Sequence, residues 1–110
     1  MKKYEIVKTH EEFNEIIQTG EKIKNSFYNI YIRKSNFKFP RFGIAIGKKL
    51  GNAVYRNKRK RQLRNILTTQ RNLFQNGHDY IIIMKEKTKE ATYQQLEEML
   101  LSLFEKGKRK

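Results

Sequence analysis

The chain has 110 residues, no cysteine, and 25 Lys and Arg against 11 Asp and Glu, a formal net charge of +14. That length supports one domain with one modest core, and without cysteine there is neither a disulfide framework nor a thiolate metal site, which suits a reducing compartment. No apolar stretch approaches the roughly 20 residues of a membrane span, and Met1-Lys2-Lys3 precedes no signal-type hydrophobic region, so the expected location is cytoplasmic, with no membrane partner.

Taken in chain order, Thr9-His10-Glu11-Glu12 reads as a capping box. Phe13, Ile16 and Ile17 then recur at helical spacing, and Gly20 is placed to end the helix in a left-handed conformation, giving a first helix over about 9–19. Residues 26–33 alternate as a strand does, with Tyr28, Ile30 and Ile32 on a core face and Phe27, Asn29, Tyr31 and Arg33 on the other. A second strand over 41–47 turns Phe42, Ile44 and Ile46 inward. Its other face holds Arg41, Gly43, Ala45 and Gly47, small enough to leave backbone open to a partner or simply to mark a bend.

Gly51-Asn52 supplies a turn and an N-cap for a helix expected to reach about Phe74, before Asn76-Gly77 closes it. Leu63, Ile66, Leu67, Leu73 and Phe74 fall on one side of that helix. Arg56, Lys60 and Arg64 form a row at successive i+4 positions beside it, with Asn57 and Arg61 adjoining. Arg59 points toward the apolar side, where its stem packs while its guanidinium is expected to snorkel out. The run 80–84 is continuously apolar, as in a strand covered on both faces. Thr92 and Gln95 start another capping box, and Leu96, Leu100, Leu103 and Phe104 carry a core stripe to about Glu105, with the basic tail 106–110 expected to fray.

The charge is not spread evenly. Residues 22–78 contain fifteen Lys and Arg and no Asp or Glu, and eight of the fifteen lie in 48–64. No Glu stands at i+4 to pair with these cations, as it would on a merely solvated helix. A field of one sign at that density draws a polyanion, because each phosphate neutralised releases condensed counterions. Flat aromatic surfaces beside such a track, here Phe13, Phe27 and Tyr31, suit unpaired bases. Acid–base catalysis by the chain alone has little material: one Asp, and His10 and His78 in turn positions. Clustered metal ligands are absent as well, since Glu11, Glu12 and Glu15 read as first-turn acids on a helix dipole.

The segment from Arg41-Phe42-Gly43 through Lys48-Lys49-Leu50-Gly51-Asn52-Ala53-Val54 to Arg56-Asn57-Lys58-Arg59-Lys60-Arg61 resembles the protein subunit of bacterial ribonuclease P. The resemblance extends over about 4–105. It implies an α+β single domain, helix-strand-strand-strand-helix-strand-helix, with a small mixed sheet, a short additional strand near Ile23 and a left-handed βαβ crossover through the basic helix. Ordinary βαβ units are right-handed in about 98% of cases, so the crossover hand comes from the resemblance alone.

The resemblance also implies function. In that family the RNA is the catalyst and uses magnesium ions to mature tRNA 5′ ends. The protein binds no cofactor itself and, as a monomer in the holoenzyme, contacts ribonuclease P RNA and the single-stranded 5′ leader of precursor tRNA. Carried over by position, Phe13, Ile17, Tyr31, Asn57, Lys60 and Arg64 would line the leader cleft. Lys48, Lys49, Arg56, Lys58 and Arg61 would meet the catalytic RNA. Four positions depart from the pattern: Lys58 replaces an Arg, Ile17 an aromatic, Gly47 a Ser, and Arg59 an apolar residue. The alternatives are a structural RNA-packaging or ribosomal protein and a stand-alone nuclease using His10 and His78.

Overall fold

The computed structural model describes residues 6, 7 and 9–108, with side chains described as far as Phe104. Helix α1 spans His10–Thr19, followed by strands β1 (Glu21–Lys24), β2 (Tyr28–Lys34) and β3 (Arg41–Ile46); helix α2 covers Ala53–Thr69, β4 His78–Met84 and α3 Tyr93–Lys108. The strand order is β1-β2-β4-β3. β1 and β4 flank β2 antiparallel, while β3 lies parallel to β4, the two joined through α2. The third early strand therefore lies around Ile23, where the family resemblance puts it.

Strand register sorts the sheet into two faces. On one, Phe42 and Tyr80, Ile44, Ile82 and Ile30, and Ile46, Met84 and Tyr28 stand in successive rows. These pack against Leu63, Ile66 and Leu67 of α2 and Leu96, Leu100 and Leu103 of α3 to form the main core. The opposite face carries the rows Arg41-Asp79-Arg33, Gly43-Ile81-Tyr31-Lys22 and Ala45-Ile83-Asn29-Lys24. Helix α1 covers part of that face, burying Ile16 with Val7 and Ile81.

Local chemistry accounts for most element ends. Thr9 Oγ1 accepts from the Glu12 N–H at 3.2 Å, half of a capping box. The other half is missing because the Glu12 carboxylate accepts from Arg41 Nη2 at 2.8 Å instead. At α3 both halves form: Thr92 Oγ1 accepts from the Gln95 N–H at 3.1 Å and Gln95 Oε1 from the Thr92 N–H at 3.0 Å. Gly20 is extended, at φ −79° and ψ 159°, not left-handed. What requires glycine there is proximity, since a Cβ would come within 2.5 Å of the Ile16 carbonyl oxygen and 3.0 Å of that of Ile32.

Helix α2 stops at Thr69, five residues before Phe74, and a 3-10 turn over Arg71–Leu73 follows. The tighter turn releases Phe74 into extended backbone, where its ring meets Phe42, Tyr80 and Phe104 at centroid distances of 5.0, 5.3 and 4.8 Å. Edge-on pairs of this kind add about 0.5–1.5 kcal/mol each beyond area burial. Helix α3 continues to Lys108, past the start of the tail expected to fray, and residues 109 and 110 lie outside the described residues.

Candidate nucleic-acid interface

The basic helix is built to present charge from its first turn. Asn52 Oδ1 accepts from the Tyr55 N–H at 2.9 Å as N-cap, and Gly51 before it adopts φ 154°, ψ −175°, a region only glycine enters readily. No acidic residue sits in the first turn to neutralise the helix dipole. Lys48 and Lys49, on the preceding 3-10 turn, are both exposed.

Two grooves flank α2. The first, about 340 Å³, lies between α2 and the start of α1 at the β3 edge, with Lys60 and Arg64 on one side, Thr9, His10 and Phe13 on the other, and Phe42, Gly43 and Ile44 between. The second, about 790 Å³, lies on the α3 side and is lined by Lys58, Arg61, Arg64, Gln62, Asn65, Thr68 and Tyr93. Arg64 belongs to both. Among the described residues neither groove has an Asp or Glu in its lining.

The structure distributes the expected site residues unevenly. Phe13, Lys60 and Arg64 share the first groove. Ile17 and Tyr31 join Phe13 in the apolar cluster beneath α1, away from that lining, with Lys22 Nζ 5.7 Å from the centre of the Tyr31 ring. Asn57 is exposed on α2, outside both linings, and Arg56 is half-buried with its Nε shielded and without a hydrogen-bond partner. Lys58 and Arg61 meet in the second groove.

The supposedly bare face of β3 is partly filled. A Cβ on Gly43 would come 2.6 Å from Ile81 Cδ1 and 3.0 Å from Phe13 Cε2, so this glycine admits the Phe13 ring. His10 lines the first groove, whereas His78 Nδ1 lies 3.1 Å from the Asn76 carbonyl oxygen and its ring beside Tyr80, so the two histidines share no groove.

Arg59 does not snorkel. It is 7% exposed, and its Nη2 donates to the carbonyls of Thr88, Lys89 and Ala91, its Nη1 to Gln62 Oε1 and its Nε to the Tyr55 hydroxyl. Asn65, Thr68 and Tyr93 were not among the residues expected from sequence. Asn65 and Thr68 follow Arg61 and Arg64 at i+4, a signal that helical spacing does carry, but only the fold brings Tyr93 to them, with its hydroxyl accepting from Asn65 Nδ2 at 2.8 Å.

Comparison with known proteins agrees with this architecture: the family model described as Ribonuclease P matches residues 1–108. The chain belongs to the ribonuclease P protein family. A ribonuclease P protein component from Mycoplasma capricolum is 38% identical, covering 98% of this chain and 100% of that protein. One from Bacillus cereus is 32% identical over 97% and 94%. The solved RNase P protein from Thermotoga maritima superposes with a TM-score of 0.84 at 26% identity, covering 93% of this chain and 96% of that one. The ribonuclease P protein fold is thus shared throughout the described chain, and the two cationic grooves are features of its central helix.

Proposed function

We propose that this chain is the protein component of a ribonuclease P holoenzyme that binds the catalytic RNA on one side of α2 and the single-stranded 5′ leader of precursor tRNA on the other. The observation that carries this reading is the pair of grooves, cationic and, among the described residues, lined by no carboxylate, separated by one helix. Phosphates entering either groove meet Lys or Arg, and the counterions they release drive association. Lys60, Arg64 and the half-buried Phe13 ring would hold the leader, and Lys58 and Arg61, with Lys48, Lys49 and Arg56 toward the helix start, would hold the RNA. Ile17, Tyr31 and Asn57 would extend the leader site from positions adjoining the first groove.

The cleavage chemistry is assigned to the RNA and its magnesium ions. Among the described residues no group of three or more His, Asp or Glu is placed to hold a metal. The chain's own work is to bind, orient and neutralise. Among the described residues no helix is long and apolar enough to cross a membrane, and the proposed setting is the cytoplasm, with one copy per holoenzyme.

Reconstitution with a ribonuclease P RNA at low magnesium tests the reading. The expected result is a gain in 5′ processing of precursor tRNA on adding the protein, and none from the protein alone. No gain would favour a non-catalytic RNA-packaging role, and cleavage that survives digestion of the RNA would point to a nuclease in its own right.

A further inference from the structure

Phe37 is 44% exposed in the loop 35–40 between β2 and β3, one of two large apolar side chains left exposed among the described residues. The loop is anchored: the Ser35 N–H donates to the Gly77 carbonyl at 2.8 Å, and the Phe37 N–H to Ser35 Oγ at 3.4 Å. The ring is held by the Arg41 guanidinium, 4.2 Å from its centroid, and by the Phe39 ring, whose centroid lies 5.5 Å away. That guanidinium is fixed in turn by Asp79 and Glu12. A flat apolar ring is thus braced by an immobilised cation while much of it faces water.

The loop and its flanking residues carry one sign of charge in sequence. From residue 33 to residue 41 the chain has Arg33, Lys34, Lys38 and Arg41 and no acid. Arg33 and Arg41 are committed to ion pairs, while Lys34 and Lys38 are exposed. Arg41 precedes Gly43 by two residues on the same face of β3, about 7 Å along a strand, and Gly43 lines the first groove. An exposed ring flanked in sequence by two exposed lysines matches an unpaired nucleotide: a π-face to stack and phosphates to neutralise on either side.

We propose that Phe37 is a stacking platform for an unpaired RNA base, with Lys34 and Lys38 as its phosphate contacts. The proposal rests on the RNA-binding reading above and adds a nucleotide position to it.

The chain has no tryptophan, so Phe37→Trp places a single reporter at the site. The probe is an unstructured single-stranded RNA of about twelve nucleotides, compared with an abasic ribose-phosphate strand of equal length, with binding followed independently by anisotropy of a labelled strand. Stacking predicts that the RNA quenches the tryptophan and the abasic strand binds without quenching. It also predicts that Phe37→Ala weakens RNA binding about tenfold and abasic binding less than twofold, the scale of one lost base–aromatic stack.

Unchanged emission at saturating RNA, equal quenching by both strands, or unaltered binding by Phe37→Ala would each overturn the platform while leaving RNA binding intact. Emission that shifts with protein concentration in the absence of RNA would assign the ring to a second copy of the chain and overturn it likewise. Wild-type protein that binds neither strand would remove the RNA-binding reading itself, and the platform with it.

Discussion

Arg41 grips Asp79 through both carboxylate oxygens, Nε to Oδ1 at 2.8 Å and Nη2 to Oδ2 at 2.9 Å, and the aspartate is fully buried. Arg33 reaches the same carboxylate from the other side at 3.3 Å. The two guanidiniums then extend to α1, Arg41 to Glu12 at 2.8 Å and Arg33 to Glu15 at 3.1 Å. Glu12 and Glu15 are three residues apart, so they share a helix face, and this charge ladder fixes the helix that carries the Phe13 wall of the first groove.

Asp79→Ala removes the centre of the ladder and leaves two guanidiniums without their buried partner. Breaking a buried pair in this way costs about 3–5 kcal/mol, which urea unfolding should register as a lower midpoint at unchanged slope. Glu12→Gln, at the more exposed end, should cost about 1 kcal/mol or less. Equal losses for the two variants would contradict a ladder centred on Asp79.

Arg59→Ala should destabilise by about 3 kcal/mol, because the carbonyls of Thr88, Lys89 and Ala91 lose a shared donor inside the protein. Arg59→Leu should recover little, even though an apolar residue is usual at this position in the family, since volume does not replace the hydrogen bonds. Hydrogen exchange localises the effect, with faster exchange expected in the segment 86–91 and little change in β4. A fully stable Arg59→Leu protein would show that packing, not carbonyl capture, sets the requirement.

Arg59 also marks where sequence reading stops. Caps, alternation and the basic row depend on neighbours within four residues, which is why Thr9, Asn52, Thr92 and the strand faces of Tyr28 and Ile30 were legible. The carbonyl partners of Arg59 lie about thirty residues away, and Glu12 left its capping role for Arg41, equally distant in sequence. The end of α2 was misplaced for the same reason: an aromatic cluster assembled from four separate segments draws Phe74 out of the helix, with neither Gly nor Pro at position 70 to announce it. At the site, Lys60 and Arg64 could be paired by spacing and Phe13 was set beside them by the family resemblance, whereas the placement of Tyr93 across the second groove required the fold.

Tyr28 is completely buried and donates its hydroxyl to the Leu96 carbonyl at 2.8 Å. Burial pushes its phenol well above the ordinary value near 10, slightly opposed by the Arg59 charge, and burial raises Tyr80 as well. The folded state therefore holds these protons more tightly than the unfolded chain does. Their contribution is fully present below pH 10 and is lost as pH rises above it. Tyr28→Phe should cost about 1 kcal/mol at neutral pH through the lost hydrogen bond and flatten the decline in stability above pH 10. An unaltered alkaline slope would remove Tyr28 from that transition.

The proposed two-sided use of α2 predicts that single charge removals separate two affinities. Lys60→Ala should weaken holoenzyme binding of precursor tRNA more than of mature tRNA, because only the precursor carries a leader for the first groove. Lys58→Ala and Arg61→Ala should instead weaken assembly with the catalytic RNA and leave that discrimination ratio unchanged. Each lost phosphate contact should lower the slope of log affinity against log salt by about 0.7–0.9. Arg64→Ala, shared by both grooves, should disturb both measurements. If Lys60→Ala reduced precursor and mature tRNA binding equally while Lys58→Ala altered their ratio, the assignment of the two sides of the helix would be reversed.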